Sequence, residues 1–198
     1  MDKNSKSISI NLITGNPNKV REFKSILEPE IKVNHIDFSY SELRSDDPEE
    51  ITMLSAKQVA ERLNKIIVVE DSGLFITKLN EFPGTCTKYV CRRIGNKGIL
   101  KLMEQYKGKD RQCFYKSAIG FCIPGKGPLS FLGVEEGLIS EKEKGTKGWG
   151  EDPIFIPIEN NPQKKTYGEI RQEGSVNLFR KRALLDLKEF LGKIKIYI

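Results

Sequence analysis

The 198-residue chain is poor in histidine and in paired cysteines. It has one histidine, His35, and four cysteines, none of them in a C-x-x-C pair. A single imidazole excludes metal sites built from several histidines and disfavours a Ser-His-Asp triad. The cysteine spacing excludes a zinc ribbon and a dithiol redox motif, so we expect reduced cysteines that act as packing residues. If the chain is an enzyme, its catalysis therefore has to depend on carboxylates and lysines, with or without a hard cation.

Long apolar segments are also missing. No run approaches the roughly 18 residues that cross a bilayer, and residues 1–9 are polar with no apolar signal core. We therefore expect a cytoplasmic protein that does not enter membranes. Charged residues make up 30% and hydrophobic residues 38% of the chain, which is typical of a soluble globular protein. The length predicts a single domain over residues 1–198, and the net charge of +6 favours anionic partners.

The apolar pattern predicts strands that alternate with helices, followed by a β-hairpin. Residues 66–69 form a short unbroken apolar run, typical of a strand buried on both faces, and this strand should end at Glu70. Residues 141–152, rich in Gly, Lys and Glu, are predicted to form a functional loop. The pattern predicts an α/β fold around a mixed sheet. Asp47 is expected to cap the second helix, with Pro48 at its first position and Glu50 at its third. The predicted strands are 8–13, 31–38, 66–69, 114–122 and 129–134, and the predicted helices are 17–27, 48–63, 96–106 and 176–191.

A glycine turn at residues 14–19 ends the first strand and opens the first helix. Backbone N–H groups and the helix N-terminus point at an anion in such a turn, and Lys19 would add a positive charge. The spacing matches neither a P-loop nor a dinucleotide-binding fingerprint. An ordinary turn with an Asn-Pro helix start therefore remains the alternative.

Two acidic residues, Glu70 and Asp71, follow the buried strand. Strand ends are where α/β proteins place catalytic carboxylates, and a carboxylate pair suits Mg²⁺ together with substrate phosphates. Glu42, in the loop before the second helix, is a further candidate ligand. The alternative is that the acidic pair makes a polar turn with Ser72 and that Glu42 is solvated surface.

The single tryptophan, Trp149, lies between Gly148 and Gly150. The glycines clear space around the indole, which suits stacking on a nucleobase. A half-buried loop anchor is an equally good interpretation from composition.

Two basic features predict a function less specifically than the segments above. Lys88 follows a rigid Pro-Gly turn and suits either phosphate contact or plain surface. Arg180, Lys181 and Arg182 begin the basic face of the final helix, and a run of charges like this one usually faces solvent.

Five segments, in this order, resemble the motifs of the inosine triphosphate pyrophosphatase family, which hydrolyses non-standard purine nucleoside triphosphates to monophosphate and pyrophosphate. The resemblance covers nearly the whole chain. It implies an ITPase/Maf-like α/β fold, an elongated mixed β-sheet flanked by helices, with two lobes, a central active-site cleft and a homodimeric assembly. The segments are T-G-N-P-N-K-V-R-E at 14–22, E-D-S-G-L at 70–74, P-G with a lysine at 83–88, W-G-E-D-P-I-F at 149–155 and T-Y-G-E-I at 166–170.

The resemblance also implies catalytic roles. Glu42 and Asp71 would bind Mg²⁺, and Asp71 or Glu70 would orient the water that attacks the α-phosphorus. Lys19 and the metal would neutralise the charge that builds on the phosphates. The catalytic residues are therefore expected to be Asp71, Glu70 and Lys19.

For substrate binding, the resemblance implies that Trp149 takes the place of a phenylalanine that stacks on the purine. Asp152 would help to fix the base and its loop. Lys57 is included because it lies close to Ser55, where the family has a lysine. The expected substrate-binding residues are Thr14, Gly15, Asn16, Asn18, Lys19, Lys57, Ser72, Lys88, Trp149, Gly150, Asp152 and Arg180.

The chain departs from the family pattern in its C-terminal helix. The family has E-K-N-x-x-S-H-R-x-x-A-L, and Gly174 and Phe179 stand where its lysine and histidine read the 6-oxo purine. A site that loses hydrogen-bond donors loses selectivity. These departures therefore predict relaxed or altered base specificity. Glu151 also replaces an aromatic residue.

Two further functions stay open. The first is a nucleotide-binding protein with little turnover, against which Glu42, Glu70 and Asp71 argue, because binding alone does not need this acidic cluster. The second is a nucleic-acid-binding module, which depends only on the net charge and Trp149. We expect purine nucleoside triphosphates, and not nucleic acid, to be the partners.

Overall fold

The computed structural model describes residues 8–172 and 174–194. The strands are β1 Ile8–Ile13, β2 Ile31–Ile36, β3 Ile67–Ile76, β4 Pro83–Gly84, β5 Gln112–Cys122, β6 Leu129–Ile139 and β7 Phe155–Pro157. The helices are α1 Pro17–Leu27, α2 Pro48–Leu63, α3 Thr87–Leu102, α4 Tyr167–Ile170 and α5 Leu178–Ile194. Short 3₁₀ turns cover Thr77–Leu79 and Gly108–Arg111.

The strands form a mixed sheet in the order β2-β1-β3-β5-β6-β7, and β4 pairs with β3. β1 is parallel to both β2 and β3, with Ile13 opposite Ile36 and Val69. β4 is antiparallel to β3, and β7 is antiparallel to β6. The predicted α/β fold around a mixed sheet is therefore confirmed. Because Ile13, the last residue of β1, is in register with Val69, the turn that follows β1 starts beside the middle of β3, where Glu70 and Asp71 lie.

The described residues fall into two compact units. The first contains residues 8–71, 117–133 and 176–194, and the second contains residues 72–116, 134–172 and 174–175. The prediction of a single domain over residues 1–198 stays a prediction.

The first unit buries both faces of its strands. Ile10 and Val68 lie in a cluster that includes apolar residues of α1 and α5, whereas Ile13 and Val69 lie in a cluster with α2. This alternation follows the two-residue period of a strand. The apolar face predicted for the last helix is confirmed, since its five members are all buried: Phe179, Ala183, Leu184, Leu187 and Leu191.

Two glycines allow helices of the first unit to approach the sheet closely. A Cβ on Gly120 would lie 2.1 Å from the Thr52 carbonyl oxygen of α2. A Cβ on Gly133 would lie 1.8 Å from the Phe179 carbonyl oxygen of α5. Any larger residue at either position would push the helix away from the sheet.

A buried arginine organises the second unit. The Arg111 guanidinium donates to the carbonyl oxygens of Ile139 at 2.6 Å, Ser140 at 2.6 Å, Met103 at 2.7 Å and Tyr106 at 3.0 Å. These four carbonyls lie at or just after the ends of β6 and α3, where the regular hydrogen-bonding pattern stops. Arg111 therefore caps two chain segments at once.

Several predicted boundaries were wrong. β3 does not end at Glu70 but continues to Ile76, because Leu74 and Phe75 pair with β4 and the Glu70 charge has counter-charges inside the unit. α3 begins at Thr87 and not at Asn96. Gly95 interrupts the helical backbone with φ +60°, and this kink breaks the apolar periodicity of the first half. The short elements β4, β7 and α4 have no periodic pattern and were not predicted.

The first two helix starts agree with their predictions. Asp47 caps α2 by accepting a hydrogen bond from the Glu49 N–H, and Pro48 occupies the first helical position. All four cysteines are free thiols, as predicted. In the ranges that the structure covers, no helix is both long and apolar enough to cross a membrane.

Candidate active site

The turn after β1 is fixed by its own side chains. The Asn16 N–H donates to the Thr14 hydroxyl at 3.1 Å, and the Asn18 N–H donates to the Asn16 side chain at 3.0 Å. Pro17 begins α1, and Gly15 between these residues is exposed. The predicted turn and helix start are thus confirmed. The N-terminus of α1, which is the positive end of the helix dipole, therefore lies close to the C-terminal end of β1, where it would stabilise an anion.

Lys19, in the first turn of α1, contacts Glu70 of β3. Its ammonium lies 2.7 Å from Oε2 of Glu70 and donates to the Glu70 carbonyl oxygen at 2.9 Å. The Lys19 side chain is 16% exposed. The structure therefore brings together two predicted site residues, 51 positions apart in sequence.

The Glu70 carboxylate is enclosed by donors. Its Oε1 accepts hydrogen bonds from the Ser117 hydroxyl at 2.5 Å and from Arg180 Nε at 3.1 Å. Burial alone would raise the pKa of Glu70, but the charges of Arg180 and Lys19 outweigh it and lower this pKa to about 2. Glu70 is therefore ionised at neutral pH, with both oxygens directed at protein cations.

Arg180 is buried, so the predicted solvent-facing position was wrong for this residue. It is 4% exposed, and its guanidinium also pairs with Glu22. The helix places residue 180 on the same face as the apolar residues three and four positions later, and the two carboxylates supply the counter-charge that burial requires. Lys181, one position further along the helix, is exposed. A substrate contact of Arg180 stays a prediction.

Glu42 and Asp71, the predicted metal ligands, both lie near one phenol. The Tyr40 hydroxyl donates to Oε1 of Glu42 at 3.1 Å. Burial, followed by the negative charges of Glu42 and Asp71, raises the pKa of Tyr40. No cluster of three or more metal-ligating side chains is present in the part of the chain that the structure describes. Two carboxylates alone are a donor set that Mg²⁺ accepts when substrate phosphates and water complete its shell.

Lys57 is exposed on α2, and its charge acts on the Cys122 thiol. A substrate contact of Lys57 stays a prediction. Ser55 lies about 200° away around the helix and hydrogen-bonds to Tyr40. The residue of α2 that faces the Glu42 side is therefore Ser55.

Lys88 is held at the exposed start of α3. The Thr87 hydroxyl beside it accepts from the Leu74 N–H at 2.8 Å and donates to the Gly84 carbonyl oxygen at 2.6 Å. Ser72, which precedes this segment, is half-buried. These bonds fix the first turn of α3 on β3, so the Lys88 backbone has a defined position.

The tryptophan loop, residues 148–152, is closed by Asp152. One Asp152 oxygen accepts the Trp149 N–H at 2.9 Å and the Arg171 guanidinium at 2.5 Å. The same guanidinium lies over the indole, 3.9 Å from the ring centroid. Trp149 is nevertheless 37% exposed. Asp152 thus fixes the loop as expected, whereas its contact with a base stays a prediction.

Sequence reasoning missed further side chains that hold the tryptophan loop. Glu151 is 8% exposed, and its Oε2 accepts from the Tyr115 hydroxyl at 3.1 Å. The Cys91 thiol also hydrogen-bonds to Glu151, and burial raises the pKa of this carboxyl group. Asn96 donates to the Gly150 carbonyl oxygen at 3.0 Å. The presence of Glu151 in place of a family aromatic residue was a signal that this position has a different contact here. No local pattern indicated Asn96.

Comparisons with known proteins agree with the five motifs. The model of the Ham1 family matches residues 10–190. The chain is 41% identical over 174 residues to a dITP/XTP pyrophosphatase of Methanopyrus kandleri, which covers 87% of this chain and 90% of that protein. It is 41% identical over 183 residues to the dITP/XTP pyrophosphatase of Methanosarcina mazei, with 91% and 96% covered.

A solved structure gives the same result for the fold. The Staphylococcus aureus Ham1 protein superposes with a TM-score of 0.80 and 26% sequence identity, over 93% of this chain and 98% of that chain. Sequence and fold therefore match over almost their full lengths, and the chain belongs to the Ham1 family.

Proposed function

We propose that this protein hydrolyses non-standard purine nucleoside triphosphates, dITP and XTP among them, to nucleoside monophosphate and pyrophosphate. The observation that carries this proposal is the similarity, at about 40% identity over most of the chain, to proteins named dITP/XTP pyrophosphatase. The protein is accordingly a hydrolase of phosphoric anhydrides. We include in the proposal the cytoplasmic location and the homodimer that the family resemblance implies.

The turn at residues 14–19 and Lys19 would bind the triphosphate. The N-terminus of α1 and the ammonium both favour negative charge. The ammonium is held by the carbonyl oxygen and the carboxylate of Glu70, and since an ammonium has three N–H donors it would also donate to a phosphate oxygen. In this proposal Glu70 positions Lys19.

The carboxylates Glu42 and Asp71 would hold Mg²⁺, and their oxygen donors fit that ion. When bound, Mg²⁺ would neutralise negative charge on the phosphate oxygens. We assign the orientation of the attacking water to Asp71, because both oxygens of Glu70 are directed at protein cations.

In the hydrolytic step the water oxygen bonds to the α-phosphorus while the bond to the bridging oxygen of the β-phosphate breaks. The electron pair leaves with pyrophosphate, and the water proton passes to solvent or to Asp71. Lys19 and Lys88 would stabilise the charge that develops on the phosphate oxygens. Trp149 would stack on the base through the ring surface that Arg171 leaves exposed.

A specific observation favours the variant of this function with relaxed or altered base specificity. Phe179, at the position of the family histidine, is 3% exposed and packs in the core. The Arg180 guanidinium next to it is directed at Glu22 and Glu70. Phe179 therefore supplies no donor for the 6-oxo group, and Arg180 already directs its Nε and one terminal nitrogen at carboxylates.

The test is pyrophosphate release in the presence of Mg²⁺ from ITP, dITP, XTP, ATP, GTP and pyrimidine triphosphates, compared as kcat/KM. A wide preference for ITP, dITP and XTP supports the proposed function as stated. Similar values for all the triphosphates support relaxed specificity. No cleavage of any of them contradicts the proposal and favours a nucleotide-binding protein.

The Asp71→Asn variant tests the catalytic assignment. It keeps the size of the side chain but removes its charge, so we expect turnover to fall about 10²-fold or more, while nucleotide binding measured by calorimetry is largely retained. Lys97→Gln, on an exposed position of α3, is the control for expression and folding. Unchanged turnover in Asp71→Asn would remove the assignment of this carboxylate.

A further inference from the structure

The tryptophan loop has a backbone that needs external support. Gly148 has φ +76° and Gly150 has φ +59°, so glycines in the left-handed region flank Trp149 on both sides. Glycine loses more conformational freedom on folding than any other residue, and a loop built in this way is free to sample other conformations unless it is held. The orientation of the indole therefore depends on the contacts of its neighbours.

Helix α3 supplies two of these contacts. Asn96 donates from Nδ2 to the Gly150 carbonyl oxygen at 3.0 Å, across 54 positions of sequence. Cys91, on the same helix, hydrogen-bonds to the Glu151 carboxyl group. The left-handed backbone of Gly95 lies between them and starts the second helical stretch directly at Asn96. The kink thus sets the place from which the Asn96 side chain reaches the loop.

Strand β5 supplies a third contact. The Tyr115 hydroxyl donates to Oε2 of Glu151 at 3.1 Å, and the Tyr115 ring packs against Phe155 with a centroid distance of 4.5 Å. Glu151 is buried, so its side chain points inward while Trp149, two residues earlier, is exposed. The inward carboxyl group anchors the loop from its inner side.

We infer that Asn96 and Glu151 are positioning residues for nucleobase recognition, which hold the tryptophan loop so that Trp149 presents its ring to a purine in one orientation. The inference rests on the proposed function, since it needs Trp149 to stack on the base. Neither residue touches the phosphate side of the substrate in this assignment. Their effect is therefore confined to ligands that have a base.

The predicted effect follows from the hydrogen bond that is lost. Asn96→Ala removes the donor, and Asn96→Asp places a carboxylate oxygen against the Gly150 carbonyl oxygen, which repels it. A hydrogen bond of ordinary strength corresponds to about a fivefold change in affinity, and we expect at least this increase in KM for the preferred purine triphosphate. We expect kcat to stay within about threefold, because no catalytic group moves.

The experiment measures three quantities for wild type, Asn96→Ala, Asn96→Asp and the matched control Lys97→Gln. The first is KM and kcat for the preferred purine triphosphate. The second is the inhibition constant of inorganic tripolyphosphate, which has phosphates but no base. The third is quenching of tryptophan fluorescence by acrylamide, which reports on this loop alone because Trp149 is the only tryptophan.

The inference predicts a higher KM, an unchanged tripolyphosphate constant and stronger quenching in both Asn96 variants, with Lys97→Gln equal to wild type. An unchanged KM or unchanged quenching overturns it. A parallel rise of KM and of the tripolyphosphate constant also overturns it, because that pattern reports a general structural loss.

Variants of Glu151, the second positioning residue, test the same inference by comparing the loss of the carboxyl group with a conservative replacement. Glu151→Ala removes the inner anchor and should reproduce the Asn96 phenotype, whereas Glu151→Gln keeps an acceptor for Tyr115 and should stay within about twofold of wild type in KM. Equal behaviour of the two Glu151 variants contradicts the inference. If wild type cleaves no triphosphate, the proposed function fails, while the quenching measurement still decides whether Asn96 holds the loop.

Discussion

At the scale of single residues, Glu70 and Glu151 show how neighbours determine the charge of a buried carboxyl group. Both are nearly inaccessible, but the cations Arg180 and Lys19 lower the pKa of Glu70 to about 2. Glu151 has the neutral donors Tyr115 and Cys91, and burial raises its pKa. Glu70 therefore stays charged through the physiological range, and Glu151 is much easier to protonate.

The proposed stacking role belongs to the residue scale as well. Trp149→Ala removes a ring whose stacking contributes about 1–3 kcal/mol per base, which corresponds to roughly 5- to 150-fold weaker purine binding. Trp149→Phe keeps an aromatic face and should lose less than the alanine variant. KM values for a purine and a pyrimidine triphosphate measure the effect. Equal KM values in wild type and Trp149→Ala would exclude the stacking role.

At the scale of elements, the starts of α1 and α2 were predicted correctly because their capping signals are local. Asn16 and Asp47 each accept a hydrogen bond from the N–H two positions later, and a proline follows each of them. The start of α3 was missed for a physical reason. Its N-cap Cys86 makes no side-chain capping bond, and Gly95 breaks its period.

Arg111 is predicted to stabilise the second unit by linking the ends of β6 and α3. Arg111→Lys keeps the charge but cannot reach the carbonyls of both β6 and α3, so carbonyls that are now satisfied lose their donors. We expect the free energy of unfolding to fall by about 2–4 kcal/mol. Urea denaturation measures it, with the exposed Lys109→Ala as the control. A loss below about 0.5 kcal/mol, the usual range of surface substitutions, would show that Arg111 does not have this role.

At the scale of the whole molecule, the depressed pKa of Glu70 links stability to pH. The native carboxylate has a pKa of about 2 against the ordinary glutamate value of 4.5, so its stabilising contribution is complete above pH 4.5 and is lost as the pH falls from 4.5 towards 2. The difference corresponds to about 3 kcal/mol. Glu151 acts in the opposite direction, because its raised pKa favours the protonated native form and its contribution declines as the pH rises above the unfolded value.

The measurement is the free energy of unfolding from pH 7 to pH 2 in wild type and in Glu70→Gln. We expect the variant to be less stable at pH 7 and to lose less stability between pH 4.5 and pH 2. Glu151 is present in both proteins, so its contribution cancels in the comparison. Parallel pH curves would show that Glu70 is not the acid-sensitive group.

The sequence by itself determined the features that depend on near neighbours: the Asn16 and Asp47 caps, the apolar face of α5, and the ordered motifs of the Ham1 family. Only the tertiary structure decided which charges are buried and what they pair with. Arg180 looked like part of a solvent-facing run, yet it pairs with Glu70 and Glu22, 110 and 158 positions away. A cap depends on hydrogen bonds within four residues, whereas the burial and pairing of a charge depend on groups that only the packed chain brings within a few ångströms.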